Sequence, residues 1–187
     1  MNNQTICSQN DILLNKIMSF YYQDDNLNKM LNIINGSSKI SLRIVDWFAT
    51  NYSKKHYIMY ETKLNSRFKV YEDYKLKLKA YSKKRFDPFC RWERITIPIS
   101  EGNEYCFETT IGQLNFFKWA LENKVIDFIE KNYDCIEKDM NENNSLSKTR
   151  KNKTELNGKT RKKREELSVN AIKTFKQESV EVIVKFN

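Results

Sequence analysis

RWERITIPISEGNEYCFETTIGQLNFFKWALENKVIDFIEKNYDCIEKDM, residues 91–140, holds two periodicities in one run. The first part alternates. Ile95, Thr96, Ile97 and Ile99 are mostly β-branched, Gly102-Asn103 supplies a turn, and YCFE returns. This pattern predicts a hairpin. Pro98 has no N–H to donate, which suits an edge strand. From Thr109 the period becomes helical. Leu114, Phe117, Leu121, Val125, Phe128 and Ile129 fall on one face, and Phe116, Phe117 and Trp119 read as core. Thr109 or Thr110 can cap this long helix, and Gln113 stands where a capping-box partner reaches back to Thr110. A hairpin running straight into a long helix makes the chain α+β.

Upstream, FKVYEDYKLKLKAYSKKR (68–85) places Tyr71, Tyr74, Leu78 and Tyr81 at spacings of 3, 4 and 3. That gives one apolar helical face. Lys75, Lys79 and Lys83 recur every four residues and stack on another face. The helix is expected to stop before FDPF, because Pro88 disfavours helical backbone at Asp87. Asp87 itself reads as a turn residue rather than a catalytic acid. Three further helices are expected nearer the N-terminus. One is NDILLNKIMSFYYQ, capped by Asn10 or Asp11, and another is LNKMLNIING, stopping at Gly36. The third is SSKISLRIVDWFATNYSKK, capped by Ser38 or Ser41, with Leu42, Val45, Phe48, Ala49 and Tyr52 on its buried face.

Downstream, NENNSLSKTRKNKTELNGKTRKKREE has the composition of a linker. SVEVIVKFN then alternates Val180, Val182 and Val184 with Glu181, Ile183 and Lys185, as a strand does. An apolar strand needs a partner, and the hairpin is the expected one. The fold expectation is therefore a mainly helical α+β domain. It has a small antiparallel sheet (hairpin about 92–108 plus a C-terminal strand about 180–186) and a basic flexible loop. The corresponding divisions are an N-terminal helical segment 1–39, a core 40–142, a basic linker 143–168 and a docking C-terminal strand 169–187.

Charge is concentrated. Residues 148–164 carry Lys148, Arg150, Lys151, Lys153, Lys159, Arg161, Lys162, Lys163 and Arg164 against one acid, Glu155. Nine minus one is +8, out of +9 for the whole 187-residue chain. Such a run neutralises phosphates and gives sequence-independent affinity that falls with salt. Its Arg content also suits narrow minor grooves. A solvated linker or a nuclear-import patch are the competing readings. The lysine row of 75, 79 and 83, continued by Lys84, Arg85, Arg91 and Arg94, is a second candidate surface. There the competing reading is an ordinary solvated helix face. Trp92, between Arg91 and Arg94, reads either as a base-stacking platform or as a cross-strand contact.

Other chemistries find little support. The sequence has no P-loop and no GxGxxG. It has one histidine, His56, and four cysteines (Cys7, Cys90, Cys106, Cys135) with no CxxC pair. Closely spaced Cys and His pairs are what zinc sites use. No metal or cofactor is expected, and the thiols are expected to be reduced and mostly buried. No enzyme activity is expected. The N-terminus lacks the basic-then-apolar order of a secretory signal, and no apolar run approaches membrane-spanning length. The expectation is a soluble intracellular protein that is not secreted.

YKLKLKAYSKKRFDPFCRWERI and TTIGQLNFFKWALENKVIDFI resemble two blocks of proteins from giant, mimivirus-like large DNA viruses. Those blocks are AYSKK-FDPFCRRERI and TTIGQLNFFRWA. The resembling proteins end in a Lys/Arg-rich segment and a short hydrophobic tail such as VKF. Phe86, Asp87, Pro88, Phe89, Cys90, Arg91, Glu93 and Arg94 match, whereas Trp92 and Lys118 replace Arg. The likeness covers roughly residues 40–187. It implies a nucleic-acid-associated viral protein used in genome packaging or late gene expression, found in the virion and in the infected cell's viral factory or nucleus. Trp92 removes any phosphate contact that a basic residue makes at that position.

The functional expectation is a non-enzymatic protein that coats or compacts double-stranded DNA, with RNA as the other polyanion of the same kind. It involves no membrane, and self-association through an edge strand accompanies it. Two alternatives stand beside it. One is a late transcription or RNA-associated factor, and the other is a module whose basic loop binds an acidic protein.

Overall fold

The computed structural model describes residues 8–63, 65–98 and 106–154. Ser8 opens the first helix, α1 (Gln9–Tyr21). Its hydroxyl accepts from Asp11 N, and the Asp11 carboxylate accepts from Ser8 N at 2.8 Å. The cap is thus Ser8 rather than Asn10 or Asp11, and Asp11 is the other half of a capping box. Helix α2 (Asn26–Ile34) ends as expected, with Gly36 just beyond it at φ +76°. Ser41, one of the two expected caps, accepts from Ile44 N at the start of α3 (Leu42–Trp47). The chain then continues through a π-helical turn, Phe48–Tyr52, into the short α4 (Ser53–Lys55). Leu42, Val45, Phe48 and Ala49 are buried, as their spacing predicts.

A two-stranded ribbon follows, β1 (Met59–Tyr60) with β2 (Phe68–Lys69), antiparallel. Two residues per strand carry no periodicity, so the sequence pattern is silent there. Helix α5 (Val70–Arg85) starts directly from it. The helix ends before Phe86, where Pro88 puts the stop. Its last turn is broken at Ser82, which takes φ 58° and ψ 168°. The hairpin pairs β3 (Ile95–Pro98) with β4 (Cys106–Thr109). Ile97 faces Phe107 across the ladder, and both are buried. The expected Gly102-Asn103 turn lies outside the described residues.

The single long helix expected from Thr110 is three: α6 (Ile111–Glu122), α7 (Val125–Lys131) and α8 (Tyr133–Thr154). Each break carries an asparagine whose side chain takes a helical carbonyl. Asn123 Nδ2 donates to Trp119 O at 2.8 Å, and Asn132 Nδ2 donates to Phe128 O at 2.9 Å. Side-chain donors of this kind compete with the helical ladder. Lys124 then turns the chain through the left-handed region at φ 55°. Helix α8 runs on to Thr154, through the start of the stretch expected to be a flexible linker from 143. Residues 141–154 contain neither Gly nor Pro, so nothing in the backbone stops the helix.

Helix α6 is the centre of the molecule and packs against α1, α5 and α7. It is buried nearly all round: Leu114, Phe116, Phe117, Trp119 and Ala120 are covered, and so are the polar Gln113 and Asn115. The N-terminal helices share this core, since Ile17, Met30 and Leu31 belong to it. Tyr21 fixes α1 to α6 by donating its hydroxyl to Leu114 O at 2.7 Å. Burial raises the Tyr21 pKa well above its ordinary value, so the hydroxyl keeps its proton. Tyr74, Phe86, Phe116 and Trp119 form one aromatic cluster, with ring centroids 5.3–6.5 Å apart. Of the described cysteines, Cys90 is buried, Cys106 half-buried and Cys135 exposed, so the expectation of mostly buried thiols holds for Cys90 alone. The C-terminal strand about 180–186 lies outside the described residues. The fold is mainly helical α+β, with two small antiparallel ribbons among the described residues.

Candidate nucleic-acid interface

The FDPFCR segment folds back on the start of α6. Phe89 N donates to Asp87 Oδ1 at 3.1 Å, which closes a turn on Asp87. Arg91 then grips the same carboxylate twice, Nε to Oδ2 and Nη2 to Oδ1, each at 2.8 Å. Asp87 is 3% exposed and Arg91 39% in its side chain. Hydrogen bonding to Asp87 raises the Arg91 pKa further, so the guanidinium stays charged. The segment is welded to α6 by Gln113 Nε2 donating to Pro88 O, Asn115 Nδ2 to Arg85 O, and Asp87 N to Gly112 O. Thr109 Oγ1 donates to Gln113 Oε1 at 2.9 Å. Gln113 therefore serves this weld instead of reaching back to Thr110, whose hydroxyl still accepts from Gln113 N. A Cβ on Gly112 would lie 3.0 Å from Lys84 O.

Asp46 of α3 adds a half-buried carboxylate to this corner. Burial, and then the like charge of Asp87, raise its pKa from 3.8 to about 6, while Arg91 and Lys83 pull the other way. Tyr74 is pushed up to about 12, chiefly by burial.

The expected basic residues now separate into two groups. Arg91 is committed to Asp87, and Arg94 Nη1 bonds Glu108 Oε2 across the hairpin at 2.7 Å. Both do structural work, and neither presents a free guanidinium. Trp92 beside them is 44% exposed, outside the core. Lys75, Lys79, Lys83 and Lys84 are exposed on α5, while Arg85 is half-buried. Among the described residues no carboxylate lies within salt-bridge distance of these four lysines. Four other lysines are paired, Lys39 with Asp134, Lys55 with Asp139, Lys69 with Glu72 and Lys118 with Glu122, and the remaining exposed ones are spread over several elements. The break at Ser82 interrupts the helical row, so Lys83 does not continue the stack of Lys75 and Lys79.

The sequence reading missed Lys54 and Tyr71 as surface groups. Lys54 of α4 and Lys75 of α5 both lie over the Tyr71 ring, at 5.6 and 5.8 Å from its centroid. Tyr71 was expected on the buried face, but it is half-exposed and absent from the core cluster, whereas Tyr74 enters it. The available signal was the Ser53-Lys54-Lys55 run ending one helix ahead of the tyrosine.

Of the 148–164 run, Lys148, Arg150, Lys151 and Lys153 lie on the backbone of α8. Lys159, Arg161, Lys162, Lys163 and Arg164 lie outside the described residues. Asp139, also on α8, collects Trp47 Nε1 at 3.0 Å and the Lys55 ammonium, with His56 Nε2 at 3.9 Å. Burial opposes its ionisation, but these partners outweigh burial and hold its pKa below the ordinary carboxylate value. This cluster ties α8 to α3 and α4. Among the described residues, no group of three His, Cys, Asp or Glu side chains is arranged to hold a metal ion. No helix there is long and apolar enough to cross a membrane.

The weld between the FDPFCR and TTIGQLNFF blocks and the unpaired lysine face beside it together define the protein class: a mainly helical α+β module with a basic surface. The chain belongs to a family of unknown function, DUF7197, whose model matches residues 1–184. It is similar to an uncharacterized protein, L507, of Acanthamoeba polyphaga mimivirus, with 40% identity over 161 residues. That match covers 82% of this chain, and the chain spans 62% of the length of this curated relative. No solved structure matches.

Proposed function

We propose that this protein binds nucleic acid without reading its sequence and coats or compacts a viral DNA genome by phosphate neutralisation. The observation that carries this reading is the concentration on one helix of four exposed lysines, Lys75, Lys79, Lys83 and Lys84, with no carboxylate within salt-bridge distance among the described residues. Unpaired cations on a rigid helix are free to displace the counterions condensed on a duplex. The +8 run that begins on α8 supplies a second, denser set. The mimivirus relative supports a viral setting, with the virion or viral factory as the place of action. The protein performs no chemistry in this reading, and its affinity comes from backbone contacts rather than base edges.

The test is a salt titration on unrelated duplexes of several lengths. It compares the parent chain, a Lys75→Gln/Lys79→Gln/Lys83→Gln/Lys84→Gln variant, and a variant with every basic residue of 148–164 changed to Gln. Affinity should fall steeply with salt and not depend on sequence. Each phosphate contact removed should flatten the log–log salt slope by about 0.9. One strongly preferred duplex would overturn coating in favour of a late transcription factor. Absence of any nucleic-acid binding would overturn the reading altogether, in favour of an acidic protein partner.

A further inference from the structure

An open groove of about 660 Å³ runs along α5, lined by Tyr71, Glu72, Lys75, Leu76, Leu78 and Lys79. Its floor is apolar. Leu76 is 65% exposed, an unusual state for a leucine on a helix that also feeds the core. Its rim is cationic. Lys75 and Lys79 stand on it, and Lys54 reaches the Tyr71 ring from α4. The one acid in the lining, Glu72, is paired with Lys69 at 3.3 Å, so the groove's charge is positive.

We propose that this groove takes single-stranded nucleic acid, with an unpaired base against Tyr71 and the flanking phosphates on Lys54, Lys75 and Lys79. The proposal rests on the nucleic-acid reading above and narrows it to a second form of the ligand at one end of the same lysine face. Charge complementarity selects a polyanion. The apolar floor and the half-exposed ring select one that carries exposed flat apolar faces. A duplex hides its base faces inside the stack, whereas a single strand presents them. Aromatic rings between cationic side chains are the arrangement that sequence-tolerant single-strand binding uses. Tyr71 is already within cation–π range of both ammoniums, so a base laid against the ring leaves two cations beside it for the backbone.

The test uses the full chain with labelled oligothymidylate and oligouridylate of about 15 nucleotides, and a duplex of the same length. Tyr71→Leu should weaken single-strand binding by about tenfold, the scale of one lost base stack, and leave duplex affinity unchanged. Tyr71→Phe, which keeps the ring, should bind like the parent. An iodouridine-substituted strand should photocrosslink to the peptide carrying Tyr71 in the parent chain, a readout that does not depend on any variant folding. The proposal is overturned if Tyr71→Leu binds single strands like the parent, if single-strand and duplex affinity fall together, or if the crosslink maps elsewhere. Duplex binding that responds to the lysine variants, with single-strand binding that does not respond to Tyr71→Leu, would sink this proposal alone. Loss of all nucleic-acid binding in the parent would sink the proposed function with it.

Discussion

Arg91 holds Asp87 at two points, 2.8 Å from each carboxylate oxygen, and so locks the turn that carries the FDPFCR segment across the start of α6. The pair explains why an arginine in a basic neighbourhood is unavailable to phosphate. Arg91→Ala should cost about 2–3 kcal/mol, because it strands a carboxylate that is 3% exposed. Arg91→Lys should recover only part of this, since an ammonium cannot make the planar two-point contact. Urea melts measure both. Duplex affinity of Arg91→Lys at fixed salt should match the parent, and a clear drop would return Arg91 to the binding surface.

Gly112 sits where α6 touches the end of α5. An added methyl would lie 3.0 Å from Lys84 O and 3.4 Å from Phe86 N, both backbone atoms that cannot swing aside. Gly112→Ala should therefore destabilise by about 1–3 kcal/mol despite its better helix propensity. The urea midpoint should fall with an unchanged m-value.

Asp46 makes stability depend on pH in an unusual direction. Its pKa rises from 3.8 to about 6 on folding, through burial first and Asp87 second, so the folded chain holds the proton more tightly between those values. Its contribution to stability improves as pH falls through 6 and worsens toward neutrality. Asp46→Asn should be more stable than the parent at neutral pH, by on the order of 2 kcal/mol, with the advantage shrinking as pH drops toward 4. Asp139 has the opposite sign: its lowered pKa gives stability above the ordinary carboxylate value that is lost on further acidification. Melts of the parent and Asp46→Asn across this range separate the two groups.

Lys124 occupies the left-handed region at φ 55° between α6 and α7. A residue with a Cβ is strained there and glycine is not. Lys124→Gly should stabilise the chain by about 0.5–1 kcal/mol, read as a rise in melting temperature. A loss of stability would show that the lysine side chain contributes more than its backbone costs.

The hairpin was legible because β-branched alternation and a Pro-marked edge occur within a few residues of each other. The caps at Ser41 and Thr110 and the stop before Phe86 were legible for similarly local reasons. The breaks in the long helix were not. Asn123 and Asn132 fit a helical period, and only the folded chain shows their amides taking the Trp119 and Phe128 carbonyls. The ribbon at 59–60 and 68–69 was too short to leave a pattern. The candidate surface was half legible. Lysine spacing marked Lys75 and Lys79. Arg91 stands four residues from Asp87, but the turn that joins them emerges only on folding, as does the cross-strand pairing of Arg94 with Glu108. Spacing also assigned Tyr71 to the core, because helical periodicity identifies a face and not how much of it a neighbour covers.

The weld of Gly112, Gln113 and Asn115 to the backbone of residues 84–88 bears on how relatives should be compared. Positions inside it can be held fixed by foldability alone, so their persistence in another chain is no sign of a shared ligand. Trp92 lies outside the weld at 44% exposure. An exchange there leaves the weld's hydrogen bonds untouched. At such sites, and along the outward side of α5, a change of side chain alters the surface without disturbing the weld.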